Sequence, residues 1–203
     1  MSVCYLVGAG DFYGQINLDQ GDIIIAADGG YDSLIKRGYT PDVLIGDLDS
    51  VRAELPEGIR TVVHPKEKDE TDMMLAYLEG ARRGYTDFEI HGATGGRQDH
   101  TFANYCLLLY MSERGHRGSI LCDTGATLLL KNGSIEVTGE CGKHFSAFAF
   151  GGEAVGVTIR GLEYECEGVT LTPEFPLAVS NRFIGGVGYI EVKRGALLLM
   201  IEK

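Results

Sequence analysis

Two short acidic clusters are the parts of this sequence best suited to chemistry. In Ile45-Gly46-Asp47-Leu48-Asp49-Ser50, two aspartates stand two apart just past an apolar run. A turn of the backbone there can bring both carboxylates to one point. A turn alone accounts for one aspartate, whereas two repelling carboxylates are explained more easily by a cation between them. Glu67-Lys68-Asp69-Glu70-Thr71-Asp72 repeats the theme at the entrance to a helical pattern. Asp69 and Asp72, three apart, are predicted on one side of a first helical turn. Alone, that segment also reads as a helix cap with a favourable dipole charge. With the first cluster it supplies four carboxylates at one end of a sheet. Oxygen-only ligands on loops suit Mg²⁺, which keeps several waters and shares its other positions with phosphates.

Glycine-rich segments accompany these acids. Val7-Gly8-Ala9-Gly10-Asp11-Phe12-Tyr13-Gly14 follows a strand-like run, but its third glycine falls one place late for a dinucleotide fingerprint. It reads as a close backbone approach to a ligand or as a plain strand-to-loop turn. In Ala27-Asp28-Gly29-Gly30 the glycines can let N–H groups reach phosphate or sugar, while Asp28 can equally be a helix cap. Gly92-Ala93-Thr94-Gly95-Gly96-Arg97-Gln98-Asp99-His100 joins a pliant backbone to one guanidinium, which grips phosphate oxygens in bidentate fashion. His100 is as readily a capping or packing residue as a catalytic one.

The elements that must hold these segments follow from hydrophobic periodicity. Val3–Gly8, Ile23–Ala27, Val43–Ile45, Thr61–Val63, Phe88–His91 and Ser119–Cys122 are mostly continuous apolar runs, as buried parallel strands are. Tyr31–Arg37, Thr71–Arg83 and Thr101–Arg114 read as helices between them. Beyond about residue 125 the runs become short and partly alternating, punctuated by Asn132-Gly133, Gly151-Gly152 and Arg194-Gly195, with no helical stretch. The expectation is an α/β domain, a mostly parallel layered sheet with helices, over residues 1–124. An all-β sandwich or barrel follows over residues 125–203.

Composition narrows the function. The 203 residues allow one large domain or two small ones at roughly 100–200 residues each. A hydrophobic share of 44% and a charged share of 23% exclude a disordered chain. The net charge of −11 argues against nucleic acid and anionic membrane as partners. All 13 aspartates lie at or before Asp123. No apolar run approaches the ~18–20 residues of a membrane helix. Five scattered cysteines without a Cys-x-x-Cys read as reduced thiols, and hence a cytoplasmic protein.

Taken in order, Ala-Asp-Gly-Gly (27–30), Gly-Asp-Leu-Asp-Ser (46–50), Lys-Asp-Glu-Thr-Asp (68–72), Gly-Gly-Arg-Gln-Asp-His (95–100) with Asn104, and Ser-Asn (180–181) resemble the thiamine pyrophosphokinase family. The resemblance implies transfer of the pyrophosphoryl group of ATP to the thiamine hydroxyl, giving thiamine diphosphate and AMP, with Mg²⁺. It implies an α/β domain followed by a β-sandwich, and a homodimer with thiamine between the α/β domain of one chain and the β domain of its partner. By position, Asp47, Asp49, Asp69 and Asp72 resemble the Mg²⁺–phosphate site, with Asp49 or Asp72 accepting the hydroxyl proton. Asp28, Gly29, Lys68, Thr71, Gly95 and Arg97 resemble nucleotide or phosphate contacts. Asp99, Asn104, Ser180 and Asn181 resemble the thiamine side, and Tyr164 occupies a place where some members stack a tryptophan on thiamine.

Two alternatives stand beside that reading. Asp47-Leu48-Asp49-Ser50 is also similar to the nucleophile motif of haloacid-dehalogenase-type Mg²⁺-dependent phosphatases, a fold that needs further aspartates and a lysine later in the sheet. A non-catalytic nucleotide or thiamine sensor would need no complete acidic quartet.

Overall fold

The structure, a computed structural model, describes residues 2–49, 51–55, 59–65, 67 and 69–203. The chain divides into two compact units, Met1–Leu107 with Gly115–Cys122, and Leu108–Arg114 with Asp123–Lys203.

In the first unit the predicted apolar runs form six strands: β1 (Val3–Val7), β2 (Ile23–Ala27), β3 (Val43–Gly46), β4 (Arg60–Val63), β5 (Asp87–His91) and β6 (Arg117–Cys122). All five pairings are parallel and the order is β6-β5-β1-β2-β3-β4. The central strands read as unbroken Val, Ile, Leu and Ala because both of their faces are covered. Leu6, Ile24, Ile25 and Leu44 are wholly buried, as are Tyr31 and Leu34 of the helix α1 (Gly30–Lys36). The chain steps from β1 outward to β4, then returns to place β5 on the other side of β1. That reversal opens a crevice beyond the carboxyl ends of β1 and β5, the position where open α/β sheets collect ligands.

The helix α2 (Asp72–Arg82) starts where Thr71 Oγ1 accepts the Met74 N–H at 3.2 Å, and it stops before Gly84, whose φ is +93°. It is secured by Glu79, which receives Arg82 Nε at 2.8 Å and Arg83 Nε at 2.8 Å. The Arg82 fork, then the Arg83 guanidinium, hold the Glu79 carboxyl down at about 2. A carboxylate depressed in the folded state contributes stability above its unfolded value of about 4.3, and that stability is lost as pH falls through its folded value. Glu79→Gln is therefore expected to lower the melting temperature at pH 7. The gap from wild type should close as pH approaches 2; a gap that persisted there would mean lost packing rather than charge.

The helix α3 (Gln98–Ser112) begins three residues before the predicted Thr101. The Thr101 N–H already bonds the Arg97 carbonyl at 3.1 Å, so the first turn consumes the glycine-rich segment's own end. Among the described residues no helix is long and apolar enough to cross a membrane.

The second unit contains β7 (Gly125–Thr138), β8 (His144–Ala149), β9 (Ala154–Arg160), β10 (Cys166–Leu171), β11 (Asn181–Arg182) and β12 (Val187–Glu202), every pairing among them antiparallel. Two expected turns are corrected here. Asn132-Gly133 and Arg194-Gly195 do not separate strands; β7 and β12 run straight through them. The pairing skips from Gly133↔Val192 to Lys131↔Ala196, so two long strands share a bulge in which Gly195 N–H donates to Asn132 Oδ1 at 2.9 Å. Positive φ at Asn132 (+46°) and Gly195 (+102°) suits a hairpin turn or a bulge, and the long-range partner decides between them. Past the bulge, the free edge of β12 passes from β9 to β8. Phe145 and Ala147 of β8, Val157 and Ile159 of β9, and Ile190, Val192, Leu197 and Leu199 of β12 nevertheless belong to one buried cluster.

Candidate functional site

A cleft of about 490 Å³ lies in the first unit at the carboxyl ends of the strands, lined by Gly8–Gly10, Ala27–Asp28, Thr71–Met73 and residues from Gly92 to Asn104. Beyond their last strand residues, β1 and β5 stay zipped together: Gly8 N–H donates to His91 O and Gly10 N–H to Gly92 O, each at 2.9 Å, and Asp11 N–H to Thr94 O at 2.8 Å. A Cβ on Gly92 would stand 2.1 Å from Gly8 O, and Gly92 has φ +62°. Glycine is therefore required where these two backbones meet. The Gly8–Gly14 segment, left open between ligand approach and plain turn, lines the cleft through its first three residues.

The acidic group forms beside it. Asp28, Asp47 and Asp49 each offer a carboxylate oxygen within 4.8 Å of the others. Two unusual backbones build this convergence. Asp28 sits at φ +46° with its N–H on Ile45 O at 2.7 Å, which ties the end of β2 to the end of β3. Leu48 sits at φ +64°, so the chain doubles back and Asp49 N–H reaches Asp47 Oδ1 at 3.2 Å. Left-handed non-glycine residues cost free energy and persist where the surroundings over-determine them. Asp32 of α1 steadies the following loop by accepting Ala53 N–H at 2.9 Å.

The quartet expected from spacing is rearranged. Asp69 lies two residues before the N-cap Thr71, so it shares no helical turn with Asp72. Asp72 opens α2 and lines the cleft, but the three-carboxylate group closes on Asp28 rather than on Asp69 or Asp72. Nor does Asp28 cap α1, because Gly29 holds the N-cap position. The resemblance places Asp28 only among the nucleotide contacts. Its signal was an Asp-Gly-Gly at the end of the strand next to β3, and the backbone conformation that turns it toward Asp47 is not readable from residue types. Three oxygen donors of like charge, two of them half-buried and Asp49 exposed, fit a hard divalent cation such as Mg²⁺.

Arg97 lines the cleft and is gripped by Asp99 in a two-pronged pair, Nη2–Oδ2 at 2.6 Å and Nε–Oδ1 at 3.1 Å. This pairing draws the Asp99 carboxyl below its ordinary range and raises Arg97. Asp99 also accepts the His100 N–H at 2.9 Å. Asn104 is buried, and its Nδ2 donates to Ala93 O at 2.8 Å, pinning the glycine-rich loop to α3. Gly95, at φ +84°, packs against Asp11. His100 and Thr101, not assigned roles from sequence, also face the cleft. Lys68 lies outside the described residues.

In the second unit, Tyr164 holds its ring outward at 64% exposure, while Asn181 beneath it is 3% exposed. Ser180, at φ +60°, leads into β11 and donates its N–H to Ser146 Oγ at 3.1 Å. Phe175, Leu177, Ile184 and Val187 are exposed in the same stretch of chain.

Against known proteins, the family described as "Thiamin pyrophosphokinase, catalytic domain" matches residues 15–121, and "Thiamin pyrophosphokinase, vitamin B1 binding domain" matches residues 134–197. The chain is similar to thiamine pyrophosphokinase of Bacillus subtilis, 26% identical over 189 residues, covering 90% of this chain and 88% of that one. It is 27% identical to thiamine pyrophosphokinase 1 of rice over 162 residues, covering 72% and 61% of the two chains. The fold is that of the crystal structure of thiamin pyrophosphokinase from Geobacillus thermodenitrificans, with a TM-score of 0.86 at 22% identity over 99% of this chain and 97% of that one. The Candida albicans enzyme gives 0.76 at 19% identity over 98% and 88%. With both family regions matched in order along one chain, this protein belongs to the thiamine pyrophosphokinase family.

Proposed function

We propose that the two units divide one reaction between them. The reaction of the family is transfer of the pyrophosphoryl group of ATP to the hydroxyl of thiamine, giving thiamine diphosphate and AMP. The observation that carries the assignment of roles is the convergence of Asp28, Asp47 and Asp49 at the mouth of a glycine-walled cleft. Carboxylates alone repel a triphosphate, so this group implies a cation shared with the nucleotide.

Asp28, Asp47 and Asp49 would hold Mg²⁺, with Asp72, which lines the same cleft, and Asp69 serving the metal–phosphate group beside them. When bound, the cation spreads the charge of the transferring phosphates. The chain's own residues do the rest. The side-chain-free backbone at Gly8 and Gly10 lets the phosphates approach closely. The N–H groups of Gly29 and Gly95, the start of α2 at Thr71, and the Arg97 guanidinium bind and orient them, with Lys68 adding positive charge. Asp49 or Asp72 accepts the thiamine hydroxyl proton as that oxygen attacks. Asp99 holds Arg97 in place, and Asn104 shapes the loop that Arg97 leaves from. In the second unit, Tyr164, Ser180 and Asn181 serve thiamine.

The finer organisation belongs to the same proposal. Residues 1–124 form the α/β nucleotide and Mg²⁺ domain, and residues 125–203 a β-sandwich that binds thiamine and dimerises. Its two wings are the β8 and β9 sides of β12, and support comes from their common core. The exposed Phe175, Leu177, Ile184 and Val187 favour a homodimer with shared sites, and the five free thiols favour the cytoplasm.

Incubation with thiamine and Mg·ATP is expected to yield AMP and thiamine diphosphate in equal amounts, and EDTA to abolish both. Free phosphate instead would point to the phosphatase alternative, and no product to a sensor. Turnover that survived full chelation would remove the metal assignment.

A further inference from the structure

Both polar atoms of the Asn181 side chain are engaged within the second unit. Its Oδ1 accepts the main-chain N–H of Tyr164 at 2.9 Å and that of Arg182 at 2.9 Å, and its Nδ2 donates to the Tyr164 carbonyl at 2.7 Å. Bonding both the N–H and the C=O of one residue is what a neighbouring strand does, so the amide substitutes for a missing rung of sheet. The residues on either side are fastened too. Glu163 N–H donates to Arg182 O at 2.9 Å, and Leu162 forms an antiparallel bridge with Phe183, both side chains only 1% exposed. Gly161 N–H is held by Glu165 Oε1 at 2.7 Å. Residues 161–164 are thus a rigid shelf laid on residues 181–183, with one aromatic ring standing out from it.

A ring on a mobile loop loses conformational freedom when it stacks on a ligand; a ring on a pinned backbone has little more than its own side-chain torsions to fix. The geometry points to Asn181 as a positioning residue. It acts through the main chain of Tyr164, keeping that ring as a preformed stacking face for a planar cationic heteroaromatic, and does not itself touch the substrate. The inference rests on the thiamine reading of the second unit given above, and it replaces the direct thiamine contact implied for Asn181 by resemblance. Ser180 contributes by its left-handed turn, which feeds the chain into β11 with Asn181 directed inward beneath Tyr164.

A double-mutant cycle on the full chain tests this. Tyr164→Ala is expected to raise the KM for thiamine by about tenfold, the loss of one cation–π stack, with the KM for ATP unchanged. Asn181→Ala is expected to raise it by a similar factor and to speed amide hydrogen exchange across residues 162–165. Because Asn181 acts only through the ring, the double variant should be no worse than Tyr164→Ala alone. Multiplying losses, about a hundredfold in the double variant, would mean a direct substrate contact and overturn the inference. So would an equal rise in the KM for ATP, which marks general damage. Should Asn181→Ala fail to fold, Asn181→Asp, which keeps the acceptor and loses the donor to Tyr164 O, takes its place in the cycle. If Tyr164→Ala leaves the KM for thiamine unchanged while Asn181→Ala still speeds exchange at Tyr164, the clamp is real. In that case the thiamine reading of the ring fails, and the inference falls with it.

Discussion

Asp28→Asn is expected to lower kcat by about three orders of magnitude while leaving the melting temperature of the metal-free protein unchanged or slightly higher. Asparagine tolerates the left-handed backbone that residue 28 adopts, so the substitution removes charge without adding strain. It leaves Asp47 and Asp49 with one repelling neighbour fewer. Charges at the 4.8 Å limit of this group repel by about 1 kcal/mol per pair even at the dielectric of water. Wild type should be stabilised by added Mg²⁺ through preferential binding to the folded state, and the variant should lose most of that response. Thermal unfolding with and without Mg²⁺, beside a kcat measurement, separates the possibilities. A metal-free melting temperature several degrees lower would make Asp28 a structural residue of the β2–α1 turn. An unchanged kcat would return the third ligand position to Asp69 or Asp72.

The second large effect is on stability. A Cβ on Gly30 would stand 2.0 Å from Val7 O and 2.6 Å from Val7 C, both backbone atoms of the central strand. Neither can swing aside as the tip of a side chain would, so Gly30→Ala must push α1 away from β1. Overpacking against backbone costs about 3 kcal/mol, which in a chain of this size lowers the melting temperature by about 10 °C. Gly38→Ala, with nothing within 4 Å of the added atom, tests the opposite condition at a φ of +80°. It should cost only the backbone strain of a left-handed alanine, about 1 kcal/mol. If Gly30→Ala melted no lower than Gly38→Ala, the close approach of α1 to β1 would be wrong.

The strands of the first unit were legible because burial on both faces writes itself as unbroken runs of Val, Ile, Leu and Ala. Their order was not. Nothing in the residue types says that β1 lies between β2 and β5, yet that placement makes the cleft. The acidic motif around Asp47 and Asp49 was legible as chemistry, since two like charges at close spacing need an explanation. That Asp28 joins them depends on a φ of +46°, which an Asp-Gly-Gly segment permits and does not announce. Helical spacing does not reach Asp69, which lies two residues before the N-cap Thr71 of α2. In the second unit, Asn132-Gly133 and Arg194-Gly195 carry true signals of positive φ, but a bulge and a hairpin share those signals. Asn181 shows the limit of motif reasoning most plainly. Resemblance marks the residue, and only its three hydrogen bonds say that it acts on Tyr164.

The reversal in strand order also bears on how the first unit folds. β1, β2, β3 and β4 pair in the order in which they follow one another along the chain, but the other edge of β1 must wait for a partner whose register begins at Asp87. Closing a loop that long carries a larger entropy cost than the connections that join β1 to β2, β2 to β3 and β3 to β4, and it is repaid only when the pairing is complete. The zipped backbones at Gly8–Gly92 and Asp11–Thr94 lie at the far end of that pairing, so this wall of the cleft cannot close before β5 is available. A growing chain that has not yet produced β5 holds Asp28, Asp47 and Asp49 without the wall of glycine backbone that faces them. On a growing chain the residues of the acidic group are therefore all present before the strand that completes the place for the nucleotide.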